Sequence, residues 1–150
     1  CNLLIVGSGP DQEKLRVLAK NEIISKTTHF YGPCYDENII SNLIFNSICT
    51  VSPGNIGLTV INSFTYGTPA ITHNNFGNQM PEAEVIKEGI TGFFFKENDI
   101  LSLEQALTDI INSKIDFKAE CRRVIDSYYN PTYQVKILES VLLNKLKTND

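Results

Sequence analysis

The sequence has little of what marks nucleic-acid-binding, metal-binding or membrane proteins. Its 150 residues carry 13 Lys and Arg against 17 Asp and Glu. There is no basic run, so the electrostatic footprint of nucleic-acid binding is missing. Cys1, Cys34, Cys49 and Cys121 are scattered without a C-x-x-C pair, which argues against structural zinc and for free thiols in a reducing compartment. No apolar run approaches the roughly 18 residues that span a bilayer, and the apolar start Leu3–Val6 is too short for a signal peptide. We therefore expect a cytoplasmic protein.

The sequence also has no recognisable catalytic motif and no internal repeat. No Ser/His/Asp or Cys/His combination has the spacing of a known nucleophilic site. The length and the 42% hydrophobic content suit one domain with a sizeable core, so we predict a single domain over residues 1–150. Because the sequence opens directly on a strand-like run, we expect that it is truncated at its N-terminus.

Short apolar runs alternate with helical patterns along the chain. Five runs are predicted as strands: Leu3–Val6, Thr28–Tyr31, Ile48–Ser52, Thr68–Thr72 and Gly92–Phe95. The first is a continuous apolar run, which predicts a strand buried on both faces. Asp11, Asp36 and Asp99 are predicted helix N-caps, and Asn130-Pro131 separates the last two helices. The alternation predicts an α/β fold, a Rossmann-like parallel sheet with helices on both faces.

Three loops at predicted strand ends have residues suited to ligand binding, because ligands of open parallel sheets bind beyond the carboxyl ends of the strands. The first loop is Gly7-Ser8-Gly9-Pro10, whose glycines let the backbone approach a ligand. It departs from G-x-G-x-x-G because Gln12 occupies the last position. It is equally compatible with a tight turn.

The second loop is Ser52–Thr59, between a strand and a helix. The N–H groups of Asn55, Ile56, Gly57 and Leu58 can point at an anion, the helix dipole adds favourable charge, and Thr59 can add a hydroxyl. An ordinary loop with a helix cap is the alternative. We predict a diphosphate site here.

The third candidate is Gly67-Thr68-Pro69 together with His73 to Glu84, and its segment from His73 to Glu82 is unusually rich in amides. Amides suit sugar hydroxyls, which both donate and accept hydrogen bonds. Loops this long and polar more often bind a ligand or take part in catalysis than serve only as connections. A surface loop without a function is the alternative. His73 follows a strand end and is a candidate either for ligand contact or for loop packing, whereas His29 lies within a strand and is interpreted as structural.

Taken in order, these residues resemble the C-terminal domain of GT-B-fold glycosyltransferases, specifically the retaining family 4, also called group 1. The landmarks cover about 90 residues: Leu4-Ile5-Val6-Gly7-Ser8-Gly9-Pro10, Phe30-Tyr31-Gly32, Val51-Ser52-Pro53, Gly57-Leu58, Gly67-Thr68-Pro69-Ala70-Ile71, Glu84-Val85-Ile86 and Gly89-Ile90-Thr91-Gly92. No single landmark is specific, but seven in the correct order are.

The resemblance implies transfer of a sugar from a nucleotide diphosphate donor, UDP- or GDP-linked, to an acceptor hydroxyl, with retention of configuration and without a metal. It also implies roles by position. The loop matching Asn55–Leu58 contacts the diphosphate or the sugar, and the turn matching Gly32, Pro33 and Cys34 lies near the base. The glycines matching Gly7 and Gly9 line the cleft.

Two departures from the family pattern stand out. The family's two glutamates, separated by seven residues, fall on Gly54 and Asn62. Asn62 can still bond a ribose hydroxyl without charge assistance. The donor-sugar candidates are His73, Asn74, Glu82 and Glu84. We hypothesise that Glu82 or Glu84 binds the sugar hydroxyls in place of the glutamate that Gly54 replaces.

The second departure is that the family's Arg and Lys for the diphosphate, and its acceptor domain, are not in this sequence. The resemblance therefore implies a donor-binding fragment, inactive alone, of an enzyme of bacterial polysaccharide or glycan biosynthesis. Its acceptor would be a glycan or a lipid-linked molecule, bound by a missing N-terminal domain that could also bring the enzyme to a membrane surface. The alternatives are a non-catalytic nucleotide-binding scaffold and a sugar-nucleotide epimerase of the same fold.

Overall fold

The computed structural model describes residues 1–147, and it describes their side chains except at positions 22, 23 and 144–147. Strands and helices alternate through most of this range. The elements are β1 Leu3–Val6, α1 Gln12–Leu18, α2 Glu22–Ser25, β2 Thr28–Gly32, α3 Glu37–Phe45, β3 Thr50–Ser52, α4 Thr59–Thr65, β4 Ala70–His73, β5 Gly92–Phe95, α5 Ile100–Asn112, α6 Phe117–Tyr128 and α7 Pro131–Lys147. Two short 3₁₀ helices, Phe76–Asn78 and Pro81–Val85, lie between β4 and β5. The predicted strands are all present, with ends that differ by no more than two residues.

Every strand pairing is parallel, which confirms the predicted α/β class. The strands form two sheets, β1-β2 and β3-β4-β5. The chain correspondingly packs as two compact units, Cys1–Asn42 and Leu43–Asp150, with the boundary inside α3. No helix among the described residues is both long and apolar enough to cross a membrane.

The first unit exposes its apolar strand. Leu3 is 52% exposed, Val6 is 44% exposed, and only Ile5 is half-buried. The prediction that β1 is buried on both faces is therefore wrong. None of the residues described between positions 1 and 42 is buried, because two strands and short helices are too little material to enclose a core. On the neighbouring strand β2, the Phe30 ring is partly covered by Arg16, whose guanidinium lies 4.6 Å from the ring centre.

The second unit holds the hydrophobic core, and its central strand β4 is fully buried. Neighbouring β4 residues face opposite sides of the sheet. Ala70 packs in a cluster with Phe64 of α4 and Val124 of α6, whereas Ile71 packs with Ala106 of α5. Helices therefore cover both faces of this sheet, as predicted. Each large apolar side chain buried in these layers contributes about 1.5–3 kcal/mol relative to exposure.

Two of the three predicted aspartate caps are confirmed. Asp36 accepts a hydrogen bond from the Asn38 N–H at 2.9 Å, and Asp99 accepts one from the Ser102 N–H at 3.1 Å. Asp11 occupies the N-cap position of α1 but makes no capping bond. Its carboxylate pairs instead with the exposed Lys14 ammonium at 2.7 Å.

The four cysteines are free thiols, as predicted. Two of them are enclosed in the second unit, where burial raises the pKa of Cys49 to about 11 and that of Cys121 to about 12. Thiols with pKa values in this range stay protonated and unreactive near neutral pH.

Candidate functional site

The β3–α4 loop, residues 53–58, is attached to the end of the neighbouring strand β4. The Thr72 hydroxyl lies 3.0 Å from the Ser52 carbonyl and 3.1 Å from the Gly54 carbonyl. The Ser52 hydroxyl donates within the same turn to the Asn55 carbonyl at 3.3 Å. Because these bonds go to backbone carbonyls, the path of the loop is fixed at the carboxyl edge of the sheet.

The start of α4 presents backbone N–H groups that the protein leaves unpaired. The N-cap residue is Leu58, whose side chain cannot accept a hydrogen bond. Within residues 1–147, the N–H groups of Asn55, Gly57, Leu58 and Thr59 make no hydrogen bond. Leu58 is 68% exposed and Thr59 is also exposed. Unpaired donors at a helix start attract anions, so this part of the predicted diphosphate site has suitable geometry.

Ile56 does not meet the expectation that it binds the anion. Its N–H donates to the Gln79 side-chain oxygen at 3.0 Å, and the residue is only 1% exposed. Its side chain belongs to the core cluster of α4 and α6. The neighbouring N–H groups of Asn55 and Gly57 make no hydrogen bond within residues 1–147.

The amide-rich loop after β4 uses most of its amides within the protein itself. Asn75 and Asn78 both donate to the Glu97 carboxylate, at 2.7 and 3.1 Å. Gln79 bonds Ile56 and the end of β4. Among these amides, Asn74 is exposed, and its side chain has no hydrogen-bond partner in the described chain. It is the amide that stays available to a sugar hydroxyl.

Glu97 is a residue that the sequence analysis missed. Hydrogen bonds from Asn75 and then Asn78, together with the nearby His73 imidazole, lower the pKa of its carboxyl, so it is ionised at neutral pH. Glu97 follows β5 by two residues, and the strand-end rule that singled out the earlier loops would have found it if applied to this last strand.

His73, the candidate for either ligand contact or loop packing, is buried within the protein. It ends β4, is 1% exposed, and meets the edge of the Phe95 ring. Its Nδ1 accepts the Asn75 N–H at 3.3 Å, so the neutral ring carries its proton on Nε2. Nε2 is buried without a hydrogen-bond partner among the described residues, and Glu97 Oε1 lies 3.9 Å away. The loop that follows β4 covers the ring.

The two carboxylates proposed to replace the family glutamate lie on the 3₁₀ helix after this loop. Ala83 and Val85 are buried in the core, whereas Glu84 is exposed and Glu82 is half-buried. Asn62 is exposed one turn along α4 from Thr59, so the two share a helix face. Within the residues that the structure describes, the side chains of Glu82, Glu84 and Asn62 make no hydrogen bond or ion pair.

The glycines of the first loop line a cavity within the first unit. Gly7 and Gly9 border a space of about 320 Å³ together with neighbouring residues of β1, β2 and α1. The Gly7 N–H donates to the Gly32 carbonyl at 2.8 Å, so the ends of β1 and β2 are joined here. Gly7 and Gly32 have positive φ, 123° and 88°, which explains glycine at these two positions. Pro33 and Cys34 continue from Gly32 but do not line this cavity.

Comparison with known families decides the assignment. A family model described as glycosyl transferases group 1 matches residues 1–130. The chain belongs to this family of glycosyl transferases. The match includes all three loops at the carboxyl ends of β1, β3 and β4. No curated protein matches this group 1 chain.

Solved structures of glycosyltransferases have the same fold as this group 1 chain. The apo lipopolysaccharide outer core galactosyltransferase WaaB is 19% identical, with a TM-score of 0.77 over 96% of this chain and 41% of its own length. Anabaena HepE in complex with UDP is 14% identical, with a TM-score of 0.73 over 93% and 40%. Sucrose-phosphate synthase from Thermosynechococcus elongatus is 18% identical, with a TM-score of 0.76 over 99% and 39%. The chain spans about two fifths of these proteins, and at these identities the likeness establishes the GT-B-type fold.

Proposed function

We propose that this glycosyl transferase chain binds the donor, a UDP- or GDP-linked sugar, and that its enzyme retains the configuration of a transferred hexose. The observation that carries the proposal is the family match, because it includes the β3–α4 loop with its unpaired N–H groups. Anabaena HepE has been solved with UDP and with UDP-glucose, which supports a nucleotide-sugar ligand for this fold. The single-domain assignment of residues 1–150 is part of the proposal.

The proposed chemistry follows from the charge that develops on the donor. The bond between the anomeric carbon and the diphosphate breaks, and the acceptor oxygen bonds to that carbon on the same face of the sugar. The acceptor proton leaves with the nucleoside diphosphate. Negative charge grows on the departing diphosphate, where the N–H groups of Gly57, Leu58 and Thr59 would stabilise it without a metal.

We further propose that the acceptor, a glycan or a lipid-linked molecule, is bound by a part of the enzyme outside this chain. The biological setting would be bacterial polysaccharide or glycan biosynthesis. On this proposal the 150-residue chain binds a donor and transfers no sugar by itself. Measurable sugar transfer by the purified chain would contradict the proposal that the acceptor is bound outside this chain.

The test is a titration of the ¹⁵N-labelled chain with UDP, GDP and the corresponding sugar nucleotides. We expect one base class to bind and to shift the backbone amide signals of Gly57, Leu58 and Thr59. The core signal of Ile71 serves as an internal control and should not move. Absence of shifts at the three loop amides with every nucleotide would refute donor binding at this site.

A specific observation favours a second candidate, a non-catalytic nucleotide-binding scaffold. Positions 54 and 62 carry glycine and asparagine where the resemblance calls for two glutamates, so the ionic contacts to sugar and ribose are missing. A scaffold predicts nucleotide binding with no transfer by the complete protein supplied with any donor and acceptor. Transfer by the complete protein would reject the scaffold.

A further inference from the structure

One side-chain amide connects the β3–α4 loop to the end of β4. Gln79 Oε1 accepts the Ile56 N–H at 3.0 Å, across 23 positions of the sequence. Gln79 Nε2 donates to the Thr72 hydroxyl at 2.8 Å and to the His73 carbonyl at 3.1 Å. The orientation of the amide is determined by its partners, because a backbone N–H only donates and a carbonyl only accepts.

The Thr72 hydroxyl extends this connection to the first half of the loop. Since it accepts from Gln79, its own hydrogen is left for the carbonyls of Ser52 and Gly54. The loop is thus held at Gly54 through Thr72 and at Ile56 directly.

These bonds decide which N–H groups face solvent. With the Ile56 N–H drawn inward to Gln79, the next three N–H groups are left at the exposed helix start. Removal of the Gln79 amide would not add Ile56 as an anion donor, because the residue is 1% exposed. It would leave a buried N–H unpaired and release the loop, and both effects oppose a preorganised anion site.

We infer that Gln79 is a positioning residue for the nucleotide diphosphate, acting through the β3–α4 loop rather than by touching the ligand. The inference rests on the proposed function and deepens it. The sequence predicts Gln79 only as one of several amides suited to sugar hydroxyls. Its two polar atoms are instead both used within the protein.

The experiment compares Gln79→Leu and Gln79→Asn with the wild-type chain. Leucine removes both hydrogen-bonding atoms, and asparagine keeps the amide but is one methylene too short to reach Ile56 and His73 together. Gln105→Leu is the matched control, because the Gln105 side chain is exposed on α5 and hydrogen-bonds Asp109 of the same helix. Two quantities are measured on variants with folded amide spectra: the hydrogen-exchange rate of the Ile56 N–H, and the Kd for UDP or GDP, whichever the wild-type chain binds.

We expect faster Ile56 exchange and a roughly tenfold weaker Kd in both Gln79 variants, since a net hydrogen bond of about 1.5 kcal/mol corresponds to about that factor. The control should match the wild-type chain in both. If the leucine variant does not fold, the exchange rate and the Kd of the asparagine variant test the inference. Nucleotide binding by a folded Gln79 variant at the wild-type Kd would overturn the inference. If the wild-type chain binds neither nucleotide, the proposed function is wrong. In that case the hydrogen exchange of the Ile56 N–H still tests Gln79, and an unchanged exchange rate in the Gln79 variants would show that Gln79 does not hold the loop.

Discussion

Leu58→Pro removes one N–H from the candidate diphosphate site with little disturbance of the fold. Leu58 has φ −57°, within the range that proline requires. Its N–H has no acceptor within residues 1–147, and its side chain is 68% exposed. The preceding residue is Gly57, which tolerates the restriction that proline places on its neighbour. Proline is also common in the first turn of helices, so the start of α4 should survive.

The expected weakening follows from the kind of bond removed. A hydrogen bond to a charged group contributes about 1.5–3 kcal/mol, which corresponds to a Kd weaker by about 10- to 150-fold. The stability of the folded state should change little, because proline also restricts the unfolded chain by about 0.4–1 kcal/mol. The prediction is therefore weak binding in a stable variant.

The assay pairs calorimetric titration of the nucleoside diphosphate with urea unfolding. Leu58→Ala is the matched control, because it removes the same exposed side chain and keeps the N–H. If Leu58→Pro is folded and binds as tightly as Leu58→Ala, this N–H does not contact the diphosphate, and the reasoning from the open helix start is wrong.

Three further changes test the core, a helix cap and the donor-sugar contact. Gly92→Ala should destabilise the chain by about 3 kcal/mol in urea unfolding, because its Cβ would lie 2.0 Å from the Ala70 carbonyl oxygen in the neighbouring strand. Asp99→Ala should cost about 1 kcal/mol in the same assay, because it removes the capping bond of α5. Glu82→Ala or Glu84→Ala should weaken binding of the sugar nucleotide about tenfold if either carboxylate holds the sugar.

Each of these changes has its own control. Gly54→Ala should be neutral, because a Cβ there meets nothing within 4 Å. Asp99→Asn should keep most of the stability, because asparagine also caps helices. For the glutamates the control is the nucleoside diphosphate without its sugar, whose affinity should not change. Wild-type affinity for the sugar nucleotide in both glutamate variants would reject their proposed role.

The order of strands and helices could be predicted because it rests on local periodicity. Gly92–Phe95 and Leu3–Val6 are predicted to the residue, since short apolar runs between turn residues favour strands wherever they occur. Burial of β1 could not be predicted in the same way. Whether an apolar strand is covered depends on what packs against it, and β1 has a single neighbouring strand.

The strand-to-helix transition at the candidate site was predictable, but the hydrogen bonds around it were not. The strand-to-helix transition at Ser52–Thr59 is a local feature, and the structure has an open helix start there. The partner of the Ile56 N–H is remote in sequence, so no local pattern contains it. The same limit applies to Asn75 and Asn78. An amide's chemistry indicates what it can bond, but only the tertiary structure shows that Glu97 already occupies both.

On the proposed function, the glycine at position 54 should change the donor-sugar contact more than it changes the anion site. Thr72 holds the loop through the backbone carbonyl of Gly54, a bond that is indifferent to the side chain at that position. The loop is held a second time at the backbone N–H of Ile56, which bonds Gln79. This bond also uses no loop side chain. A loop fixed through its backbone can do without a carboxylate and keep its outward N–H groups in place. If the proposed function holds, binding of the diphosphate and recognition of the sugar should be separable in this chain, and the sugar contact should depend on side chains that lie outside the loop.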